Sequence, residues 1–173
     1  MRIVFIALLL NLAGISTSRV AASSEVSTIE KMTELQASIK KSGAKVILFN
    51  VWGITCSPCM AEMPVLVRVY NQFKDNKNVM FLGVCIPDEK SDKKSAVNAA
   101  AVVVHKKQLE YLNSVWMGKT DGLIEQYPMQ GTPYNALLNA DGKVLLEMER
   151  FQKDPDKAVE YLTGEINKAL KSL

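Results

Sequence analysis

Cys56 and Cys59 are the residues of this chain best suited to do chemistry: two thiols separated by Ser57 and Pro58, one turn apart if the segment is helical. A thiol at the first turn of a helix meets backbone N–H groups that have no partner within the helix, together with the positive end of its dipole. Its thiolate is therefore populated well below the free pKa of about 8.5. Cys56 stands at that position, and Cys59 lies further in. Such a pair can trade disulfides, the outer sulfur forming a mixed disulfide that the inner one resolves.

Two cysteines at this spacing also open many zinc sites, and zinc needs four ligands. Cys85 and the single histidine, His105, would bring the number to four, but the second close-spaced ligand pair is missing. No metal and no cofactor are expected. A purely structural disulfide is the other plain reading of the pair.

The elements around the pair explain its placement. Lys45 to Trp52 is a short run rich in β-branched and aromatic residues between Gly43 and Gly53, which reads as a central strand. From Pro58 the pattern turns helical, with Met60, Met63, Val67, Tyr70 and Phe73 expected on the inner side and Pro64 expected to kink the helix. Asn78 to Ile86 reads as a second buried strand, so the two strands and their helix form a parallel βαβ unit. The reactive pair thus falls where a strand ends and a helix begins.

Upstream, Ser27 and Glu30 stand at capping-box spacing, and Ile29, Met32, Leu35 and Ile39 recur as one apolar stripe, predicting a first helix that ends at Gly43. Downstream, Asp92 to Gln108 is expected to be an inserted helix, Asn113 to Met117 a short strand and Thr120 to Tyr127 a short helix. Tyr134 to Asn139, the Asp141-Gly142 turn and Lys143 to Glu149 spell a hairpin. Asp154 and Pro155 then cap a final helix with Ala158, Leu162, Ile166 and Ala169 facing inward.

Composition narrows the function classes. With 173 residues, 48% of them apolar and 23% charged, the chain can build one core of its own. Arg2, the apolar run Ile3 to Leu12 and the small residues Val20-Ala21-Ala22 read as an export signal. The expected division is a signal peptide over 1–22 and one domain over 23–173. The run is shorter than the roughly 20 apolar residues that span a bilayer, so cleavage is expected, with membrane anchoring as the outcome if it fails. Taking Arg2 and Arg19 from the 21 basic residues leaves 19 against 18 acidic ones, a balance that gives no reason to expect nucleic acid as a partner. A monomer is expected.

The segment Phe49-Asn50-Val51-Trp52-Gly53-Ile54-Thr55-Cys56-Ser57-Pro58-Cys59-Met60-Ala61-Glu62-Met63-Pro64 resembles the active-site segment of the thioredoxin superfamily, in particular its TlpA/ResA-like exported branch. Gly131-Thr132-Pro133, followed by a strand and Asp141-Gly142, resembles the same family's cis-proline loop and hairpin. The likeness runs from about Lys45 to the C-terminus and is weak over Asp88 to Asp121. It implies an α/β, thioredoxin-like three-layer fold, with a central mixed sheet flanked by helices and a helical insert after the second strand of the βαβ unit.

The same resemblance implies roles. Cys56 is the attacking thiol and Cys59 the resolving one, while Thr132 and Pro133 receive an extended substrate segment. Trp52 either packs beside the active loop and contributes to binding or is plain core. Asn50 occupies the position where cytoplasmic thioredoxins carry a buried aspartate, and Glu62 is the residue that could supply the missing carboxylate for proton transfer. Asp88 and Glu89 are alternatives that read better as solvated surface charges.

Thr55 departs from the family pattern, which has a tryptophan there, and Cys85 reads as a buried small hydrophobe. The activity implied is an exported, periplasmic or envelope oxidoreductase that reduces disulfides of client proteins and draws electrons from a membrane-bound donor. The alternatives are a disulfide oxidant or isomerase, a thioredoxin-fold peroxidase, and a docking or metal-binding module without catalysis. A peroxidase would need an arginine beside its cysteine, and none is evident.

Overall fold

The computed structural model describes residues 25–148 and 151–173. The expected signal peptide, 1–22, lies outside the described residues. The chain runs β1 (Ser27–Ile29), α1 (Met32–Ser42), β2 (Val46–Gly53), α2 (Ser57–Phe73), β3 (Val79–Ile86), α3 (Lys93–Lys107), β4 (Leu112–Trp116), α4 (Thr120–Gln126), β5 (Tyr134–Asn139), β6 (Val144–Met148) and α5 (Pro155–Ser172). One six-stranded sheet has the order β1-β4-β3-β2-β5-β6. The first four of these strands are parallel, and β5 and β6 are antiparallel to their neighbours.

Alternation along the strands decides which helix covers which face. Val46, Leu48 and Trp52 of β2, with Leu137 of β5, share a core with buried residues of α2, α3 and α5. Ile47, Phe49 and Val51, with Ala136 and Leu138, point the other way into a second core closed by α1 and α4. Helices on both faces of a mixed sheet give the expected three-layer α/β class.

Two expectations change on contact with the structure. Ser27 does not cap α1: it lies in β1, in parallel register with Ser114, and the two hydroxyls sit 2.7 Å apart. Pairing here completes the open edge of β4, which one more helical turn could not do. The helix begins instead at Met32, with the Glu34 carboxylate accepting from the Glu30 N–H at 2.8 Å, and it ends as expected at Gly43, whose φ is 68°.

The inner side of α2 is also shifted. Cys59, Glu62, Met63, Leu66, Val69 and Phe73 are buried, while Met60, Val67 and Tyr70 are only partly so. The helix stays continuous through Pro64, which is exposed. Because α2 packs on the sheet beside α5, the buried stripe centres on the side that carries Cys59.

The helical insert expected after the second strand is present as α3, which returns the chain to β4 beside β3, and the short strand and short helix expected after it are β4 and α4. Val102 to Val104 are tolerated in α3 because Ala96, Ala100 and Val104 make its inner face while Val102 stays exposed. Asp92 caps the helix through Ser95 N–H at 3.0 Å.

Candidate active site

β2 delivers the chain at Gly53 to the turn that carries Cys56, and α2 starts at the next residue. Cys56 is the N-cap, with extended φ and ψ of −79° and 97°, and Pro58 occupies the first turn, where its missing N–H costs nothing. Cys56 and Cys59 are joined as a disulfide with their Cα atoms 5.3 Å apart. Even so bonded, Cys56 Sγ accepts the backbone N–H of Cys59 at 3.2 Å. Cys56 is part-exposed and Cys59 buried.

Opposite the disulfide stands the loop that leads into β5, where the Thr132–Pro133 peptide is cis. A Cβ at Gly53 would stand 3.4 Å from the Cβ of Cys56 and 3.5 Å from Oγ1 of Thr132, so the bare backbone of Gly53 forms the floor between them. These groups open onto a cleft of about 530 Å³, whose other wall is Ile86, Pro87 and Asp88 from the end of β3. Asp88 is the one charged side chain on that lining. A neighbouring depression of about 470 Å³ shares Ile86 to Asp88 and continues towards Trp116 and Gly118. Thr55 is exposed and lines the cleft, leaving the approach to Cys56 open.

Beneath the disulfide lies a buried polar line. Glu62, one turn after Cys59 on the same side of α2, is 8% exposed, and its Oε2 accepts Asn135 Nδ2 at 2.9 Å. Its Oε1 accepts the backbone N–H of Phe151 at 3.4 Å. Asn135 Oδ1 in turn accepts Asn50 Nδ2 at 2.8 Å, the two asparagines being register partners across β2 and β5. Asn135 was not singled out from the sequence, although a lone amide in the apolar run Tyr134 to Leu138, two residues after Pro133, is the signal that could have found it.

The remaining candidates separate clearly. Trp52 is fully buried in the core that holds Cys59, so in this oxidised form it supports the active loop from below and offers no surface to a substrate. Asp88 and Glu89 are exposed, and Asp88 alone reaches the cleft rim. Cys85, in register with Trp52 on β3, is a free thiol that burial, with a smaller contribution from the negative charge of Asp88, pushes up to about 12. His105 is exposed in the last turn of α3. Among the described residues no group of three or more histidine, cysteine or acidic side chains is placed to hold a metal ion.

Residues 20–162 match the Redoxin family. The thiol-disulfide oxidoreductase ResA of Bacillus thuringiensis subsp. konkukian is 27% identical over 124 residues, which is 72% of this chain and 65% of that protein. The chain thus spans a little under two thirds of the length of this curated relative. A thiol:disulfide interchange protein from Bacteroides sp. superposes with a TM-score of 0.53 at 25% identity, covering 74% of this chain and 77% of its own. The thioredoxin domain of a thiol-disulfide oxidoreductase from Bacteroides vulgatus gives 0.54 at 21% identity over 72% and 81% of the two chains, a likeness of fold.

Proposed function

The chain belongs to the Redoxin family, and we propose that within it this protein is an exported thiol-disulfide oxidoreductase that reduces disulfides of client proteins. The observation that carries the reading is the Cys56–Cys59 disulfide, set at the N-terminus of α2 with the Thr132–Pro133 loop across a shared cleft. The names of the similar proteins support the same chemistry.

Reduced, the pair acts in two steps. The Cys56 thiolate attacks one sulfur of a client disulfide; the other client sulfur leaves with the bonding pair and takes a proton. Cys59 then gives its proton to the Glu62 carboxylate, and its sulfur attacks Cys56 Sγ. The mixed disulfide breaks, the Cys56–Cys59 bond forms, and two electrons have passed to the client. The backbone beside Pro133 receives the client as an added extended segment, with Thr132 at its contact. Electrons return from a membrane-bound donor.

An N-terminal signal over 1–22 accounts for export, the domain over 23–173 acts as a monomer, and no helix among the described residues is long and apolar enough to cross a membrane. The test is equilibration of the mature protein with glutathione, together with trapping by Cys59→Ala. Mixed disulfides to Cys56 and a potential well below that of glutathione are expected. A potential well above it makes the protein an oxidant, and absence of any mixed disulfide removes the exchange reading.

A further inference from the structure

The near balance of basic and acidic residues hides an uneven arrangement. β2 starts just after Lys45 and ends at the disulfide turn, and its eight residues, at about 3.3 Å each, set the two ends about 26 Å apart. Four segments meet at the Lys45 end. α1 finishes there at Ser42, and the link from α2 to β3 passes beside it, the Lys45 N–H donating to the Asn78 carbonyl of that link at 2.9 Å. The β5–β6 hairpin closes the end: Asn139 is the register partner of Val46, and a Cβ on Gly142 would stand 3.4 Å from Cδ1 of Ile39.

Each segment brings exposed lysines. Lys40 and Lys41 come from the last turn of α1, Lys45 from the start of β2, Lys74 and Lys77 from the link, and Lys143 from the hairpin. The same turns hold two acidic side chains, Asp75 and Asp141. The ion pairs Arg68–Asp156, Lys93–Glu30 and Lys168–Glu165 leave all six lysines out. Ser42, Lys74, Asp75, Asn76 and Lys77 border a depression of about 340 Å³ in this face.

The opposite pole has the other sign at its centre. The Cys56 cleft and the depression beside it carry Asp88 and Glu89 as their charged side chains, with no lysine or arginine on the lining.

Helix dipoles explain only part of this pattern. Lys40, Lys41 and Lys74 stand at the ends of α1 and α2, where a positive charge offsets the negative end of the helix. Lys45, Lys77 and Lys143 lie outside the helices, just before strands or on the link, and have no such role. Like charges gathered on one face repel one another, and a partner of opposite charge removes that cost.

We propose that this lysine-rich pole is a docking face for a bilayer surface rich in anionic phospholipid, whose phosphodiester headgroups meet the lysines. A flat array of negative charge matches a face to which four separate segments contribute, and Asp88 and Glu89 repel it from the other end. The docked protein keeps its Cys56 cleft about three Debye lengths from the lipid at physiological salt. Attachment of this kind is reversible, so the cleft can turn to the proposed membrane-bound donor between binding events.

Sedimentation of the mature protein with vesicles tests the proposal. Vesicles of equal parts phosphatidylglycerol and phosphatidylcholine should carry the protein down at low ionic strength, and pure phosphatidylcholine vesicles should not. Salt at about 1 M, where the Debye length falls to about 3 Å, should release it. Each lysine at an anionic surface contributes about fivefold in partition, so the combined variant Lys40→Gln, Lys41→Gln, Lys45→Gln and Lys77→Gln should bind at least about tenfold more weakly. Lys31→Gln, Lys90→Gln, Lys94→Gln and Lys119→Gln, at exposed positions of the cleft pole, change the net charge equally and should weaken binding less than about twofold.

No binding to the anionic vesicles, or equal loss in the two variants, overturns the docking face. If the first variant does not fold, a large loss of binding in the second does the same. Reduction of the Cys56–Cys59 bond by a soluble dithiol should proceed as fast on vesicles as in solution, and a marked slowing would place the cleft against the lipid and overturn the orientation. A wild-type protein that binds vesicles but forms no mixed disulfide keeps the docking face and loses the exchange reading; one that exchanges without binding does the reverse.

Discussion

The backbone N–H of Cys59 points at the sulfur of Cys56 across 3.2 Å, in the bonded form of the pair. After reduction the same donor, with the dipole of a 17-residue helix behind it, faces whatever charge develops on that sulfur. Cys56 should titrate below the free thiol range of about 8.5 while Cys59 stays protonated beneath it. With limiting iodoacetamide at pH 7, mass spectrometry of the reduced protein should find the label on Cys56. Equal labelling of both would show that the helix mouth does not discriminate. Cys56→Ser should abolish exchange.

Glu62 is held through both oxygens, by Asn135 and by the Phe151 backbone. Glu62→Gln keeps an acceptor for one donor and removes the base. Loss of a positioned base typically lowers the step it serves by a factor of about 10²–10⁴, so resolution should slow into that range while the first attack by Cys56 persists. Stopped-flow kinetics of a mixed disulfide read the two phases separately, and equal slowing of both would refute the assignment.

Burial holds the thiol of Cys85 and the phenols of Tyr127 and Tyr134 up to about 12. In the unfolded chain these groups ionise near their ordinary values of 9.0 and 10.0. The folded state therefore holds more protons between those values and about 12, and stability must fall as pH rises through this window. The contribution is complete below about pH 8. Urea midpoints taken from pH 7 to 11 should decline, more gently for Cys85→Ala, and Cys85 should resist alkylation at neutral pH until the protein unfolds. A flat profile would count against the buried thiol and phenols.

Gly83 lies in β3 where a Cβ would come 2.2 Å from Asn113 Oδ1 and 3.3 Å from the Tyr111 ring. Asn113 is itself fixed, donating to Tyr111 O at 2.8 Å and Leu109 O at 3.3 Å. Gly83→Ala should thus destabilise by about 1–3 kcal/mol, the usual cost of overpacking a core. Exchange at Cys56 should survive in the folded fraction. Equilibrium urea unfolding checks the first claim and insulin reduction the second.

The parts of this molecule that follow from local chemistry could be read in the sequence. The Cys56-Ser57-Pro58-Cys59 turn, the hairpin at Asp141-Gly142 and the Asp154-Pro155 cap each specify their geometry within a few residues, and the structure has them. What could not be read depends on distant partners. Ser27 carries a good capping signal, yet the unpaired edge of β4, some 87 residues away in sequence, takes it into a strand. The inner stripe of α2 cannot be read from its sequence because apolar residues surround that helix, and only the position of α5 decides which of them face in. Asn135 is legible as an oddity in an apolar strand, but its worth comes from Asn50 and Glu62, 85 and 73 residues away.

β1 runs parallel to β4, and so to β3 and β2, whose far ends carry the disulfide turn and the Ile86–Pro87 wall. Glu25 and Val26 therefore lead into β1 from the opposite pole of the sheet. A leash attached there would hold the molecule by its back and turn the sulfurs outward, towards incoming proteins and away from the surface to which it is moored.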